Sequence, residues 1–261
     1  MSNLSLAVRD SSTMLRRNLL HARRYPSLTL NLLLTPVMLL LLFVYVFGDA
    51  MSAGIGGGDR SDYVSYLVPG LLLMTIGSTT IGTAVSVSND MTEGIIARFR
   101  TMAIHRGSVL VGHVVGSVVQ SILSVVLVGA VGVAIGFRST NATALEWLAA
   151  FGLLVLFAMA LTWIAVGMGL ISPNAEAASN NALPLIFLPL ISSAFVPIDS
   201  MPGWFRPIAE YQPFTPAIET LRGLLLGTEI GHNGWLALGW CLALTGLGYV
   251  WATSKFNSDP K

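Results

Sequence analysis

Residues 89–107 read NDMTEGIIARFRTMAIHRG, a charged stretch set between two long apolar runs. Asp90, Glu93, Arg98, Arg100, His105 and Arg106 crowd into it, although only 10% of the 261 residues are charged. The flanking runs, Val64–Val87 and Ser108–Phe137, each reach the ~20 apolar residues that carry a helix across ~30 Å of hydrocarbon. A polar segment between two such runs is an aqueous loop, and the chain around it belongs in lipid. Working outward, four further runs have the same character: Leu28–Phe47, Leu145–Ile171, Ala177–Val196 and Trp235–Ala252. Pro184, Pro189 and Pro197 interrupt the fifth run, and a proline in a membrane helix commonly kinks it.

Composition agrees. Hydrophobic residues make up 54% of the chain, and the mean hydropathy is +0.72. A soluble protein of this length could not bury nearly every helix on all sides. The expected fold class is an all-α polytopic membrane protein with six transmembrane helices. The formal net charge of +1 carries no sign of a nucleic-acid partner, and none is expected. Cys241 is the only cysteine and lies in an apolar run, so no disulfide framework exists within the chain.

The placement of basic residues orients the spans. Arg9, Arg16, Arg17, Arg23, Arg24, Arg98, Arg100, Arg106, Lys255 and Lys261 fall on one side. Only Arg60, Arg138, Arg206 and Arg222 fall on the other. Ten against four places both termini and the 89–107 loop in the cytoplasm, as an even number of spans requires. Ahead of the first span, Leu4, Val8, Ser12, Leu15 and Leu19 fall near one helical face with most arginines elsewhere. Such a segment suits either a helix lying in the cytoplasmic interface or a solvated basic tail. Pro26 would end it at the membrane entrance.

The chain lacks its own engine. Its only lysines, Lys255 and Lys261, cannot complete a Walker A phosphate loop. Ionisable residues within the spans are nearly absent, which disfavours an ion-driven carrier. His113 and Glu176, near the starts of spans three and five, read as interfacial or packing residues. Four scattered histidines and one cysteine offer no metal-ligand spacing. A transporter with this sequence must take its energy from another subunit.

Two polar segments are candidates for work. In 89–107, Asp90 with Glu93 has capping-box spacing, and Met91, Ile95, Phe99 and Met102 form one apolar stripe. That pattern fits a short amphipathic helix offering charge to a cytoplasmic partner, and equally an ordinary basic loop that sets topology. In 197–227, Thr215 can cap a helix with Pro216 at its first position. Phe214, Ile218, Leu221 and Leu225 form a stripe, and Glu219 can pair with Arg222. This helix is expected to tuck into the outer leaflet or against the spans without crossing. Gly112, Gly116, Gly129, Gly132 and Gly136 in span three suggest close helix packing.

Three segments in this order resemble the ABC-2 type transporter permeases, in their daunorubicin-resistance-like drug-exporter branch. They are RRYP at 23–26, EGIIARFRTMAIHRGSVLVGHVVG at 93–116, and SSAFVPIDSMPGWFRPIAEYQPFTPAIETLRGLLLG at 192–227. Ala103 departs from the pattern, since relatives usually carry proline there. The resemblance implies a cytoplasmic interface helix over residues 1–26, including Arg16, Arg17, Arg23 and Arg24. It implies a six-span domain over 27–261, with short re-entrant outer helices over 197–227 that contain Glu219 and Arg222. It implies that 89–107 holds a coupling helix seated on the ATPase, with Glu93, Gly94, Arg98, Phe99, Arg100 and Met102 as coupling residues. The implied partners are an ATP-binding cassette ATPase subunit, a second permease protomer (homodimer or heterodimer) and membrane lipid. ATP and Mg would be bound by the ATPase, with no cofactor on this chain. The implied activity is export of a hydrophobic or amphipathic molecule across a bacterial inner membrane, and the chain would not itself be an enzyme. A non-transporting scaffold or sensor docking a cytoplasmic partner is the alternative.

Overall fold

The computed structural model describes residues 26–48, 60–92, 106–139 and 141–258, with side chains described for 34–48, 61–92, 110–139 and 141–258. Among these residues every regular element is helical. The order is α1 (Pro26–Tyr45), α2 (Arg60–Thr92), α3 (Arg106–Ala134), α4 (Ala144–Ile171), α5 (Ala175–Ala182), α6 (Pro184–Leu190), α7 (Arg206–Tyr211), α8 (Phe214–Leu226) and α9 (Asn233–Ser258). A 3₁₀ turn, Ile198–Ser200, lies between α6 and α7.

Among the described residues, four helices are long and apolar enough to cross a membrane: α2, α3, α4 and α9. The chain is therefore read as a multi-pass membrane protein. Helix α1 has 20 residues, which at 1.5 Å per residue is ~30 Å, the thickness of a hydrocarbon core. Helix α4 opens with a capping box. Thr143 Oγ1 accepts from the Glu146 N–H, and the Glu146 carboxylate accepts from the Thr143 N–H at 2.6 Å.

Side-chain contacts define two ends of the bundle. At one end, Tyr66 in early α2, Ser139 after α3, and Ser193 and Leu225 come together. Exposed Trp147 and Trp235 lie in the first turns of α4 and α9 at this end. At the other end, late α2 (Ser88, Asp90) meets early α3 (His113) and Ser172 after α4. There Val87, Leu110, Leu170 and Phe256 share a small apolar cluster. Helices α2, α3 and α4 therefore alternate in direction, and α9 runs like α2 and α4. Phe43 stacks on Phe195 at 4.5 Å, so the C-terminal part of α1 lies near the tryptophan end.

The fifth apolar run is not one helix. It breaks between α5 and α6, where Pro184 stands at the start of α6, and ends in a turn over 191–196. Its contacts nevertheless climb α2 step by step. Asn181 donates to Ser172 Oγ at 3.0 Å. A Cβ added at Gly77 would run into the Leu185 carbonyl oxygen, and one at Gly70 would lie 2.7 Å from Ala194 Cα. Those two glycines let irregular backbone pack directly on α2, as a side chain there could not. Of the glycines expected to pack closely in α3, Gly132 faces Val68 and Gly129 is in ordinary contact with Leu72. Gly136 faces open space. Close approaches also occur at glycines of α2, α4, α8 and α9.

Helix α8 has 13 residues, too few to cross. Its first residue, Phe214, packs edge-on against Phe157 at 5.0 Å and approaches Gly77, roughly halfway along α2 and α4. Its end lies by Ser139, which donates to the Leu225 carbonyl. Gly227 (φ 67) closes it in the left-handed conformation, pressed on the Asn141 backbone, where a Cβ would come within 2.9 Å. The expected Thr215 cap is corrected: the helix begins at Phe214, so Thr215 lies in its first turn. The Thr215 hydroxyl donates to the Ala209 carbonyl, tying α8 back to α7.

Candidate functional site

The residues singled out in the sequence fall into two groups. Arg16, Arg17, Arg23 and Arg24, and likewise Glu93, Gly94, Arg98, Phe99, Arg100 and Met102, lie outside the described residues. Glu219 and Arg222 lie within them, and the structure brings them together.

Arg222 projects from α8 into a nearly closed environment, 9% exposed. Its Nη1 donates to Glu219 Oε1 at 2.5 Å, the i,i+3 pair expected from spacing. The rest of the guanidinium works on backbone. Nη2 donates to the Ser193 carbonyl at 2.9 Å, and Nε and Nη2 donate to the Tyr66 carbonyl at 3.3 and 3.1 Å. The Tyr66 ring lies under the guanidinium, 3.8 Å from Cζ to the centroid, and the Tyr66 hydroxyl donates to the same Ser193 carbonyl at 2.9 Å. Ser193 lies in the turn that ends the broken fifth run, where carbonyls lose their helical partners. Polar backbone in a low-dielectric setting must find donors. Arg222 and Tyr66 supply them, so this site joins α8, α2 and the 191–196 turn in one polar knot. Arginine suits it because its planar fork offers five donors at once.

A second polar group lies at the opposite end. Asp90 Oδ2 and His113 Nε2 are 3.0 Å apart, with Asp90 5% and His113 7% exposed. The expectation that Asp90 caps a helix starting in the loop is corrected. Asp90 lies inside α2, which continues to Thr92, and its carboxylate faces α3. The pair lies near the last described residues of α2 and in the early part of α3. Farther along the same seam, Thr83 meets Ser117, and Thr79 meets Ser121 at 2.6 Å. Sequence reading took His113 singly and so missed this group. Its one local signal is that His113, Ser117 and Ser121 recur every fourth residue. Glu176 is exposed in the first turn of α5, where Asn174 caps the helix by accepting from the Ala177 N–H at 2.8 Å.

Neither group is arranged for bond-making chemistry. Both join helices.

Comparison with known proteins agrees with this architecture. The chain matches the ABC-2 type transporter family over residues 10–226. It is similar to the daunorubicin resistance ABC transporter permease protein DrrB1 of Streptomyces coeruleorubidus, 27% identical over 226 residues, covering 85% of this chain and 77% of that protein. It is also similar to the probable doxorubicin resistance ABC transporter permease protein DrrC of Mycobacterium tuberculosis, 23% identical over 163 residues, 60% of this chain and 58% of that one. Nodulation protein J of Rhizobium meliloti is 22% identical over 213 residues, 74% of each chain. With most of its length matched, and with several apolar helices locked together by buried polar knots, this chain belongs to the ABC-2 type transporter family.

Proposed function

We propose that this chain is the permease subunit of an ATP-binding cassette exporter that moves a hydrophobic or amphipathic molecule, such as a drug, antibiotic or lipid-like compound, out of the cytoplasm or inner leaflet. The observation that carries this reading is the family match over residues 10–226, reinforced by relatives named for daunorubicin and doxorubicin resistance. ATP and Mg are used by a separate ATPase, a reading supported by the lack of any lysine placed for a phosphate loop.

In this reading the chain crosses a bacterial inner membrane six times. Helix α1 and the α5–α6 segment serve as the first and fifth crossings, and both termini are cytoplasmic. The alternating helix directions and the ten-to-four split of basic residues support that orientation. Residues 1–26 form the interface helix. Residues 89–107 present Glu93, Gly94, Arg98, Phe99, Arg100 and Met102 to the ATPase. The 197–227 segment enters from the outer side and turns back at mid-depth, as the reach of Phe214 to the level of Gly77 suggests. A second permease protomer, identical or related, completes the pathway. ATP state can bias inward- against outward-open forms only through contacts that differ between them.

The test is copurification with a cognate ATPase, followed by reconstitution and transport against a drug and lipid panel. ATP-dependent movement of a panel member supports the proposal. An ATPase whose turnover the chain neither stimulates nor alters, with nothing moved, overturns it.

A further inference from the structure

The seam between α2 and α3 is polar although the helices around it are not. On α3 the three seam residues, His113, Ser117 and Ser121, stand at every fourth position. On α2, Thr79, Thr83 and Asp90 follow at steps of four and seven, again one face of a helix. All six are buried. They pair as Asp90 with His113, Thr83 with Ser117, and Thr79 with Ser121. Apolar packing alone resists separation of two helices but fixes their sliding weakly, whereas directional bonds repeated along a seam fix the register. The hydroxyl pairs are degenerate under a slip of one turn, because Ser117 would then meet Thr79 in place of Ser121. The Asp90–His113 pair is not. Any slip pulls the buried Asp90 and His113 apart and gives up the bond between them.

We propose that Asp90 and His113, backed by the two hydroxyl pairs, are positioning residues that lock α2 and α3 into one rigid hairpin. A displacement of residues 93–105 then reaches the far half of the bundle as a movement of the whole hairpin, without loss to sliding. This rests on the reading of 93–105 as the segment that meets the ATPase.

The test uses the full chain with its ATPase in proteoliposomes, in a Cys241→Ala background. In Thr83→Cys/Ser117→Cys, the two thiols replace hydroxyls already in contact, and mild oxidation is used to join them. If the hairpin moves as one body, the oxidised protein exports as many molecules per ATP as the reduced protein. If the cross-link abolishes export while ATP turnover continues, and reductant restores it, α2 and α3 must slide and the proposal is overturned. Asp90→Ala should lower export per ATP by about tenfold, the population change that loss of one buried bond to a carboxylate supports. The 83–117 cross-link should then restore coupling, a rescue that a simple folding defect would not show. Normal coupling in Asp90→Ala also overturns the proposal. Failure of the underlying reading looks different: Arg98→Ala/Arg100→Ala would leave ATPase association unchanged, whatever the cross-link does.

Discussion

Truncating Arg222 to alanine removes every tie that joins α8 to α2 and to the 191–196 turn through this side chain. Two carbonyl acceptors lose a buried charged donor, at ~1 kcal/mol net each in a membrane helix bundle. The guanidinium over the Tyr66 ring contributes about 1 kcal/mol where partly desolvated. The Glu219 pair adds only about 0.5 kcal/mol, since that carboxylate side chain is 30% exposed and water replaces its partner. Arg222→Ala should therefore destabilise the protein by about 3.5 kcal/mol, on the order of several hundredfold in the folded-to-unfolded ratio. Reversible unfolding in mixed detergent micelles, followed by tryptophan fluorescence, measures it. The graded variants carry the argument. Arg222→Lys keeps a charge for Glu219 but loses the fork, and should fall between wild type and alanine. Tyr66→Phe loses one hydroxyl bond to Ser193, about 1 kcal/mol. Glu219→Gln should be the mildest. If Glu219→Gln matched Arg222→Ala, the site would be an ion pair first and a backbone anchor second, and the reasoning above would be wrong.

Other substitutions probe separate features. Gly77→Ala should destabilise by about 2 kcal/mol, because its Cβ meets the Leu185 carbonyl, whereas Gly152→Ala, with open space around it, should melt like wild type in the same detergent assay. Thr143→Ala should cost about 1 kcal/mol by removing the α4 cap. The double variant Thr143→Ala/Glu146→Ala should add little further, and fully additive losses in a double-mutant cycle would count against a reciprocal box. Arg98→Ala/Arg100→Ala should reduce copurification with the ATPase and ATP-dependent export while membrane insertion stays normal. Full assembly and export in that variant would remove the coupling assignment.

Much of the helix pattern was legible from apolar length alone, because lipid imposes one requirement on every crossing. The limits of that reasoning show at particular residues. Counting apolar residues ends the second span at Val87, yet α2 continues to Thr92, since Asp90 finds His113 on another helix, 23 positions away. Local spacing instead made Asp90 a cap for a later helix. The prolines near 184–197 announced an interrupted fifth run. The donors that make the interruption tolerable, Tyr66 and Arg222, lie 127 and 29 positions from Ser193 and leave no local signal. Glycine spacing in α3 disclosed a capacity for close packing but not its location, which depends on which backbone arrives opposite. The Glu219–Arg222 pair was legible because its geometry is set within one helical turn.

The broken fifth run has a consequence for how the chain is made. A continuous apolar helix can enter the bilayer as soon as it leaves the ribosome, with all its backbone bonds internal. The 191–196 turn differs: of the two side-chain donors to the Ser193 carbonyl, Tyr66 is made 127 residues earlier and Arg222 29 residues later. This stretch therefore enters with Tyr66 as the one donor available to that carbonyl, and gains the second only when α8 arrives. A ribosome stalled between the two segments would hold an intermediate with half of this polar knot made.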